Sequence, residues 1–112
     1  MRRSDIDKMD AGEKMDKLIS LRIVSKQLPA STWRNGRTVF MEMVNDELRD
    51  IPSYSTDIKA AWEVMEALPS PAVWKTYDKW ECLLDAHYGC AIEDTAPLAI
   101  CRAALLSLCE EE

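Results

Sequence analysis

Residues 94–108 decide the fold of this chain, and they read DTAPLAICRAALLSL. Arg102 is the only charged residue after Asp94 in this stretch, whereas a helix on the surface of a globular protein carries a polar face. The pattern therefore predicts a helix that other elements cover on nearly all sides. Asp94 or Thr95 is the expected N-cap, and Pro97 falls in the first turn, where its missing N–H costs nothing. The segment is too short to span a lipid bilayer.

Two further helices are predicted from capping residues and apolar spacing. The first spans residues 11–24, and Asp10 with Glu13 has the spacing of a capping box at its start. Residues 1–9 precede it as a polar arm. The second helix begins with Ser55 or Thr56 as its N-cap. Its apolar stripe is expected to comprise Ile58, Ala61, Trp62 and Met65.

Turn residues and alternating side chains predict the strands. Asn35-Gly36 favours a hairpin, because both residues tolerate the positive φ of a type I′ turn. Strands are expected over residues 32–34, 37–44, 73–77 and 80–84, the last two joined by a turn near Asp78-Lys79. Residues 45–53 are predicted to be a charged connector, and residues 88–92 are either a further strand or a loop. The order is α-β-β-α-β-β-α, which is an α+β fold with a mainly antiparallel sheet.

The length and charge of the chain limit its number of domains and the kinds of partner it can bind. Its 112 residues fit one domain, residues 1–112, that ends in an acidic tail at residues 110–112. The formal net charge is −6, divided as +2 over residues 1–26, −3 over residues 27–68 and −5 over the rest. An acidic surface repels phosphate, so direct nucleic-acid binding is disfavoured. The charge suits either a basic partner, such as a nucleic-acid-binding protein, or solubility alone.

The cysteines and the single histidine do not form a recognisable metal motif. Cys82, Cys90, Cys101 and Cys109 include no Cys-x-x-Cys pair, and His87 is the only histidine. We therefore expect no metal, no cofactor and four reduced thiols. No apolar run opens the chain as in a signal peptide, and no transmembrane segment is predicted. The expected compartment is a reducing cytoplasm.

Three blocks of sequence resemble the phage ABA sandwich domain, a family of small bacteriophage and prophage proteins. They read AGEKMD at residues 11–16, YSTDI followed by AAWEV at 54–64, and DTAPLAICRAAL at 94–105. The resemblance implies a sheet sandwiched between helical layers, a phage origin and hence the host cytoplasm. It implies no agreed biochemical activity. The chain departs from the family pattern after Leu21, and residues 27–51 carry no family signature.

Arg102 needs a partner, because an unpaired charge in an apolar helix is very costly to bury. Asp57, Asp94 and Asp16 are the carboxylates considered for it, with Asp57 and Asp94 preferred. The alternative is an arginine that binds an anion in a pocket, together with nearby carboxylates. No phosphate-binding glycine loop or nucleophile motif is present, and the chain is predicted not to be an enzyme.

The hairpin and the connector that follows it are the segment that folding explains least. We expect a partner to contact six residues there: Trp33, Arg34, Arg37, Asp46, Glu47 and Asp50. Three functions are weighed. The first is binding to a host or phage protein, in its sharpest form as an inhibitor of a host defence nuclease, as anti-CRISPR proteins act. The others are a virion or assembly accessory protein, for which self-association into a homo-oligomer is expected, and a small-molecule-binding domain that uses Arg102.

Overall fold

The computed structural model describes residues 3–68, 71–84 and 90–109. The helices in this part of the chain are α1 (Arg3–Asp7), α2 (Glu13–Ile19, continued by a π-helical turn at Ser20–Val24), α3 (Ile58–Glu66) and α4 (Ala96–Ser107). The strands are β1 (Ala30–Arg34), β2 (Arg37–Val44), β3 (Glu47–Asp50), β4 (Ala72–Thr76), β5 (Lys79–Leu83) and β6 (Cys90–Glu93). The α+β class is confirmed, and the strands form two three-stranded antiparallel sheets, β1-β2-β3 and β4-β5-β6.

The helix predicted from residues 94–108 lies at the centre of the molecule. Nine of its twelve residues are buried, and α4 contacts α1, α2, α3, β5 and β6. Thr95 is the N-cap, and its side-chain oxygen accepts a hydrogen bond from the Leu98 N–H at 3.4 Å. The small residues of α4 explain the close approach of so many elements, since Ala99, Ala103 and Ala104 are all fully buried.

The N-terminal segment corrects two predictions. Within the predicted polar arm of residues 1–9, the described residues 3–9 are not free, because α1 packs against α4 and buries Ile6, and Met9 is buried as well. The predicted capping box is also wrong, since α2 begins after Gly12 and no side chain caps it. Gly12 has a φ of 142°, which L-residues rarely adopt, and its N–H donates instead to the Ser55 hydroxyl at 2.8 Å.

The middle helix starts later and buries a different face than its sequence pattern indicated. Asp57, not Ser55 or Thr56, is the N-cap, and its carboxylate accepts from the Lys59 N–H at 3.0 Å. The buried residues are Ala60, Ala61, Val64 and Met65. Ile58 and Trp62, which were assigned to the apolar stripe, are about half exposed, because α3 packs on α4 through its alanine-rich side.

The strands of the first sheet include one that the sequence pattern missed. Residues 45–53 are not a simple connector, because Glu47–Asp50 forms β3 and pairs antiparallel with β2. Asn45 and Asp46 both have positive φ and make the turn between the two strands. The prediction failed because three of the four residues of β3 are charged, and Glu and Asp are depleted in strands.

The second sheet agrees with its prediction where it is described. Strands β4 and β5 pair from Ala72↔Leu83 to Thr76↔Lys79 around a Tyr77-Asp78 turn, one residue earlier than expected. The alternative left open for residues 88–92 is decided in part, since Cys90–Glu93 pairs with β5 as β6. His87 and the acidic tail at residues 110–112 lie outside the described residues. Within the described ranges, no helix has the length and apolar character to cross a membrane.

Candidate protein-binding surface

The β1–β2 hairpin presents a large aromatic side chain to solvent. All five residues of β1 are exposed, and Trp33 is 72% exposed. Asn35 and Gly36 both have positive φ, so the two-residue turn has the geometry that their sequence predicts. A tight turn of this kind fixes the register, with Trp33 opposite Thr38 and Arg34 opposite Arg37. The exposed indole is therefore held on a defined backbone.

Three of the predicted binding residues are joined to the strand end that carries Trp33, although their side chains point to the other face of the sheet. Arg34 and Arg37 are directly opposite each other, and Nη1 of Arg34 donates to Oδ2 of Asp50 at 2.9 Å. Both partners of this ion pair are about half exposed, so the pair contributes less than about 1 kcal/mol to stability. We call these four residues, Trp33, Arg34, Arg37 and Asp50, the hairpin end.

The other two predicted residues lie elsewhere. Asp46 and Glu47 follow the far end of β2, which is eight residues long. At the rise of an antiparallel strand they are about 24 Å from Arg37. The six residues predicted as one partner-binding site are thus divided between the two ends of the sheet. The sequence pattern placed these residues together because a connector was assumed where a strand returns along β2.

One face of the same sheet is apolar and open. Strand pairing places Val39, Met41, Met43 and Leu48 on one side, since paired residues point to the same face. Val39 and Met41 are partly buried, whereas Met43 and Leu48 are exposed. The outer face therefore carries apolar side chains beside the charged hairpin end.

The opposite, inner face joins the sheet to the helices through a buried polar cluster. The Glu42 side chain is 0% exposed, and its Oε2 accepts from Arg49 Nε at 2.8 Å and from the Tyr54 hydroxyl at 2.6 Å. Arg49 also donates to Glu63 of α3 at 2.6 Å. Glu42 Oε1 has no hydrogen-bond partner among the described residues. We call these four residues the Glu42 cluster.

Burial sets the electrostatics of this cluster. Desolvation, followed by the hydrogen bond to Glu42, raises the pKa of the Tyr54 phenol. The hydrogen bond to Glu63 raises the pKa of the Arg49 guanidinium. Tyr54 therefore remains a neutral donor and Arg49 a cation at any physiological pH. The cluster attaches the sheet to α3 and to the segment before it, which holds the hairpin end in place.

A second polar contact fixes the start of α2. Asp16 Oδ1 accepts from the Ser55 N–H at 2.8 Å and from its hydroxyl at 2.7 Å. Asp16 is buried, and this burial is the main reason that the pKa of its carboxyl is raised. Ser55, one of the two residues predicted to cap α3, is therefore not its cap, and Asp16, one of three possible partners of Arg102, binds Ser55 instead.

Arg102 is paired, although not with the carboxylates that were preferred. Its Nη1 donates to Glu93 Oε2 at 2.8 Å, and its Nη2 donates to the carbonyl oxygen of Met9. Asp94 binds Lys79 instead, and Asp57 caps α3. The Arg102 side chain is 12% exposed and that of Glu93 18%. This geometry makes Arg102 a structural tie between α4, β6 and the loop after α1.

The thiols show a range of exposure. Cys82 and Cys101 are buried, Cys109 is partly buried and Cys90 is exposed, and all four are free. Burial raises the pKa of Cys82 to about 11 and raises that of Cys101 as well. No group of three metal-ligating side chains is found within residues 3–68, 71–84 and 90–109. His87, the remaining residue considered as a metal ligand, lies outside these ranges.

Comparison with known proteins agrees with the helical blocks. The sequence profile of the phage ABA sandwich domain matches residues 17–105, more than half of the chain. Among solved structures, the chain is similar to a phage protein from Bacillus cereus ATCC 14579, determined at 2.0 Å. The two are 28% identical with a TM-score of 0.59, and the match covers 90% of this chain and 97% of that one. No curated protein matches the chain.

Proposed function

We propose that this chain, which belongs to the phage ABA sandwich domain family, acts by binding another protein rather than by catalysis. The hairpin end is the proposed contact surface. The observation that carries this proposal is the 72% exposure of Trp33 on a strand whose side chains are all exposed. Tryptophan is among the residues that contribute most to protein interfaces when a partner covers it.

The contacts that fix the hairpin reduce the conformational entropy that it would lose on binding a partner. The Asn35-Gly36 turn fixes the tip, and the Glu42 cluster fixes the base of the sheet. An aromatic side chain on a preorganised backbone loses little further conformational entropy on association. Arg34, Arg37 and Asp50 lie on the other face of the hairpin, where they supply polar groups for the rim of a contact that extends round its end.

The sharper form of the proposal is an inhibitor of a host defence nuclease in the host cytoplasm, comparable to anti-CRISPR proteins. The formal net charge of −6 favours association with the basic surface that a nuclease uses to hold nucleic acid. In this arrangement Asp46 and Glu47 attract the partner over a distance, while Trp33 makes the direct contact.

An alternative is a virion or assembly accessory protein that self-associates. The exposed apolar side chains of Met43 and Leu48 on the outer face of the first sheet favour it. The third function, small-molecule binding through Arg102, has less support, because both amino nitrogens of that arginine already donate within the protein.

Capture from a host lysate with matched variants tests the proposal. Trp33→Ala is the test variant, and Tyr77→Ala is its control, since Tyr77 is 95% exposed in the turn of the other sheet. We expect both variants to keep the melting temperature of the wild type and only Trp33→Ala to lose the captured protein. Equal capture by the wild type and by Trp33→Ala would contradict the hairpin end as the contact surface.

The identity of the captured protein distinguishes an inhibitor of a host defence nuclease from a virion or assembly accessory protein. A host nuclease whose activity falls when the protein is added supports the defence-inhibitor form. Capture of phage structural proteins, together with presence of the chain in purified particles, supports the accessory form. The Asp46→Lys/Glu47→Lys double variant is expected to slow association with a basic partner while leaving dissociation nearly unchanged.

A further inference from the structure

A groove between α2 and the inner face of the first sheet has an apolar floor and a cationic rim. It has a volume of about 300 Å³. Its walls are formed by six residues: Lys14, Lys17, Leu18, Leu21, Pro29 and Phe40. We call it the lysine groove, and we propose that it binds a peptide segment of another protein in which a bulky apolar side chain is flanked by carboxylates.

The sequence builds this groove on one side of a helix. Lys14, Lys17, Leu18 and Leu21 are spaced i, i+3, i+4 and i+7, so they share one face. The opposite face is the core face and carries Met15, Ile19 and Ile23, which are buried. Leu18 and Leu21 are left partly exposed, and the helix changes to its π-helical turn directly before Leu21. Such turns occur frequently at functional sites.

The second wall comes from the sheet. Phe40 points to the same side of β2 as Glu42, towards the helices, and Pro29 lies directly before β1. The ammonium group of Lys17 lies 3.9 Å from the centre of the Phe40 ring, which holds the cation at the rim of the groove. Its contact with the Glu13 carboxylate is long, at 3.8 Å, and the Glu13 side chain is largely exposed. The positive charge of Lys17 is therefore only weakly compensated.

The chemistry of the groove selects its occupant. Leucine, proline and phenylalanine side chains favour an apolar group on the floor, and two lysines favour carboxylates at the rim and repel a basic segment. This local positive charge stands on a chain of net charge −6. At about 300 Å³ the groove is at the lower limit for a ligand site, which suits one or two side chains of a peptide.

This site shares no lining residue with the hairpin end, although Trp33 points to the same face of the sheet as Phe40. Trp33, Arg34, Arg37 and Asp50 do not line the lysine groove. The inference therefore goes beyond the proposed function, and either can fail without the other.

Selection from a random peptide library against the full chain, followed by fluorescence anisotropy with the enriched peptides, tests the inference. We expect enriched peptides to place Leu, Ile, Phe or Trp beside Asp or Glu. Lys14→Glu/Lys17→Glu should weaken their binding at least tenfold. The control Lys59→Glu/Lys75→Glu makes the same charge change, and Lys75 also lies over an aromatic ring, that of Trp80. Trp33→Ala should leave peptide binding unchanged.

A measurement that needs no variant accompanies this experiment. Binding of an acidic peptide to the wild-type chain should weaken as the salt concentration rises from 50 to 500 mM, because exposed ammonium groups are screened. Enrichment of basic peptides, enrichment of none, or binding that the control pair abolishes would overturn the inference. Lysine-dependent binding to phosphatidylserine vesicles without peptide binding would also overturn it, in favour of a membrane surface.

Discussion

Replacing Arg49 with Met isolates the carboxylate of Glu42 inside the protein. The Glu42 side chain is 0% exposed, and Arg49 is the cation bound to it, at 2.8 Å. Removing one partner of a buried ion pair costs about 3–5 kcal/mol, because the remaining charge is uncompensated. We expect a value near the lower limit, about 3 kcal/mol, since Arg49 is partly solvated and the Tyr54 hydroxyl still donates to Glu42.

This free energy corresponds to a large change in melting temperature. For a chain of 112 residues the entropy of unfolding is about 0.24 kcal/mol/K, so a loss of about 3 kcal/mol lowers the melting temperature by about 13 °C. A domain of this size is typically stable by about 5–15 kcal/mol, so the variant still folds at room temperature. The expected change is well above the error of a urea titration.

Urea unfolding followed by tryptophan fluorescence and by circular dichroism measures this cost. Glu42→Gln/Arg49→Met removes the isolated charge but keeps an acceptor for Tyr54, so it should recover more than half of the loss. Arg34→Met breaks the exposed pair with Asp50 and should cost less than about 1 kcal/mol. A double variant as unstable as Arg49→Met, or an Arg49→Met variant as stable as Arg34→Met, would refute the reasoning.

Three further predictions concern groups outside the Glu42 cluster. Arg102→Met should lower the free energy of unfolding in urea by about 3 kcal/mol, because the Glu93 carboxylate that it leaves unpaired is only 18% exposed. A loss below about 1 kcal/mol would show that solvent screens the pair. Burial raises the pKa of Asp16, so the folded state binds more protons than the unfolded state, and this residue lowers stability as pH rises from about 4 through its folded pKa. The free energy of unfolding of Asp16→Asn should therefore rise relative to that of the wild type as the pH increases from about 4 to 7. A difference between the two proteins that stays the same across this pH range would contradict the prediction. Cys90 should react with a thiol reagent in the native protein well before Cys109, and all four thiols should react in urea.

The features that the sequence predicted correctly are those decided by neighbouring residues. The N-cap at Thr95 and the Asn35-Gly36 turn depend on the φ preferences and hydrogen-bonding atoms of a few adjacent residues. The burial of α4 follows from a stretch so poor in polar residues that no face of the helix suits water. Local chemistry was sufficient for each of these.

The candidate site was predicted only in part. The exposure of Trp33 and its place beside the turn follow from the hairpin signal, and both are confirmed. The distance between Trp33 and the pair Asp46 and Glu47 was not predicted, because strand β3 returns along β2 and separates the two ends of the sheet. A charged strand of four residues has no periodicity strong enough to identify it.

The sequence by itself determined three of the helices in the described part of the chain, α2, α3 and α4, as well as where the first hairpin turns and which helix is buried. Only the tertiary structure decided the partners of the buried charges, since Arg102 binds Glu93, Asp16 binds Ser55 and Glu42 binds Arg49. The lysine groove likewise needed the tertiary structure, because helical spacing gives only the wall on α2 and the other wall comes from β2 and the segment before β1. The physical reason is that a cap or a turn is made by adjacent residues, whereas an ion pair or a groove depends on how distant elements pack.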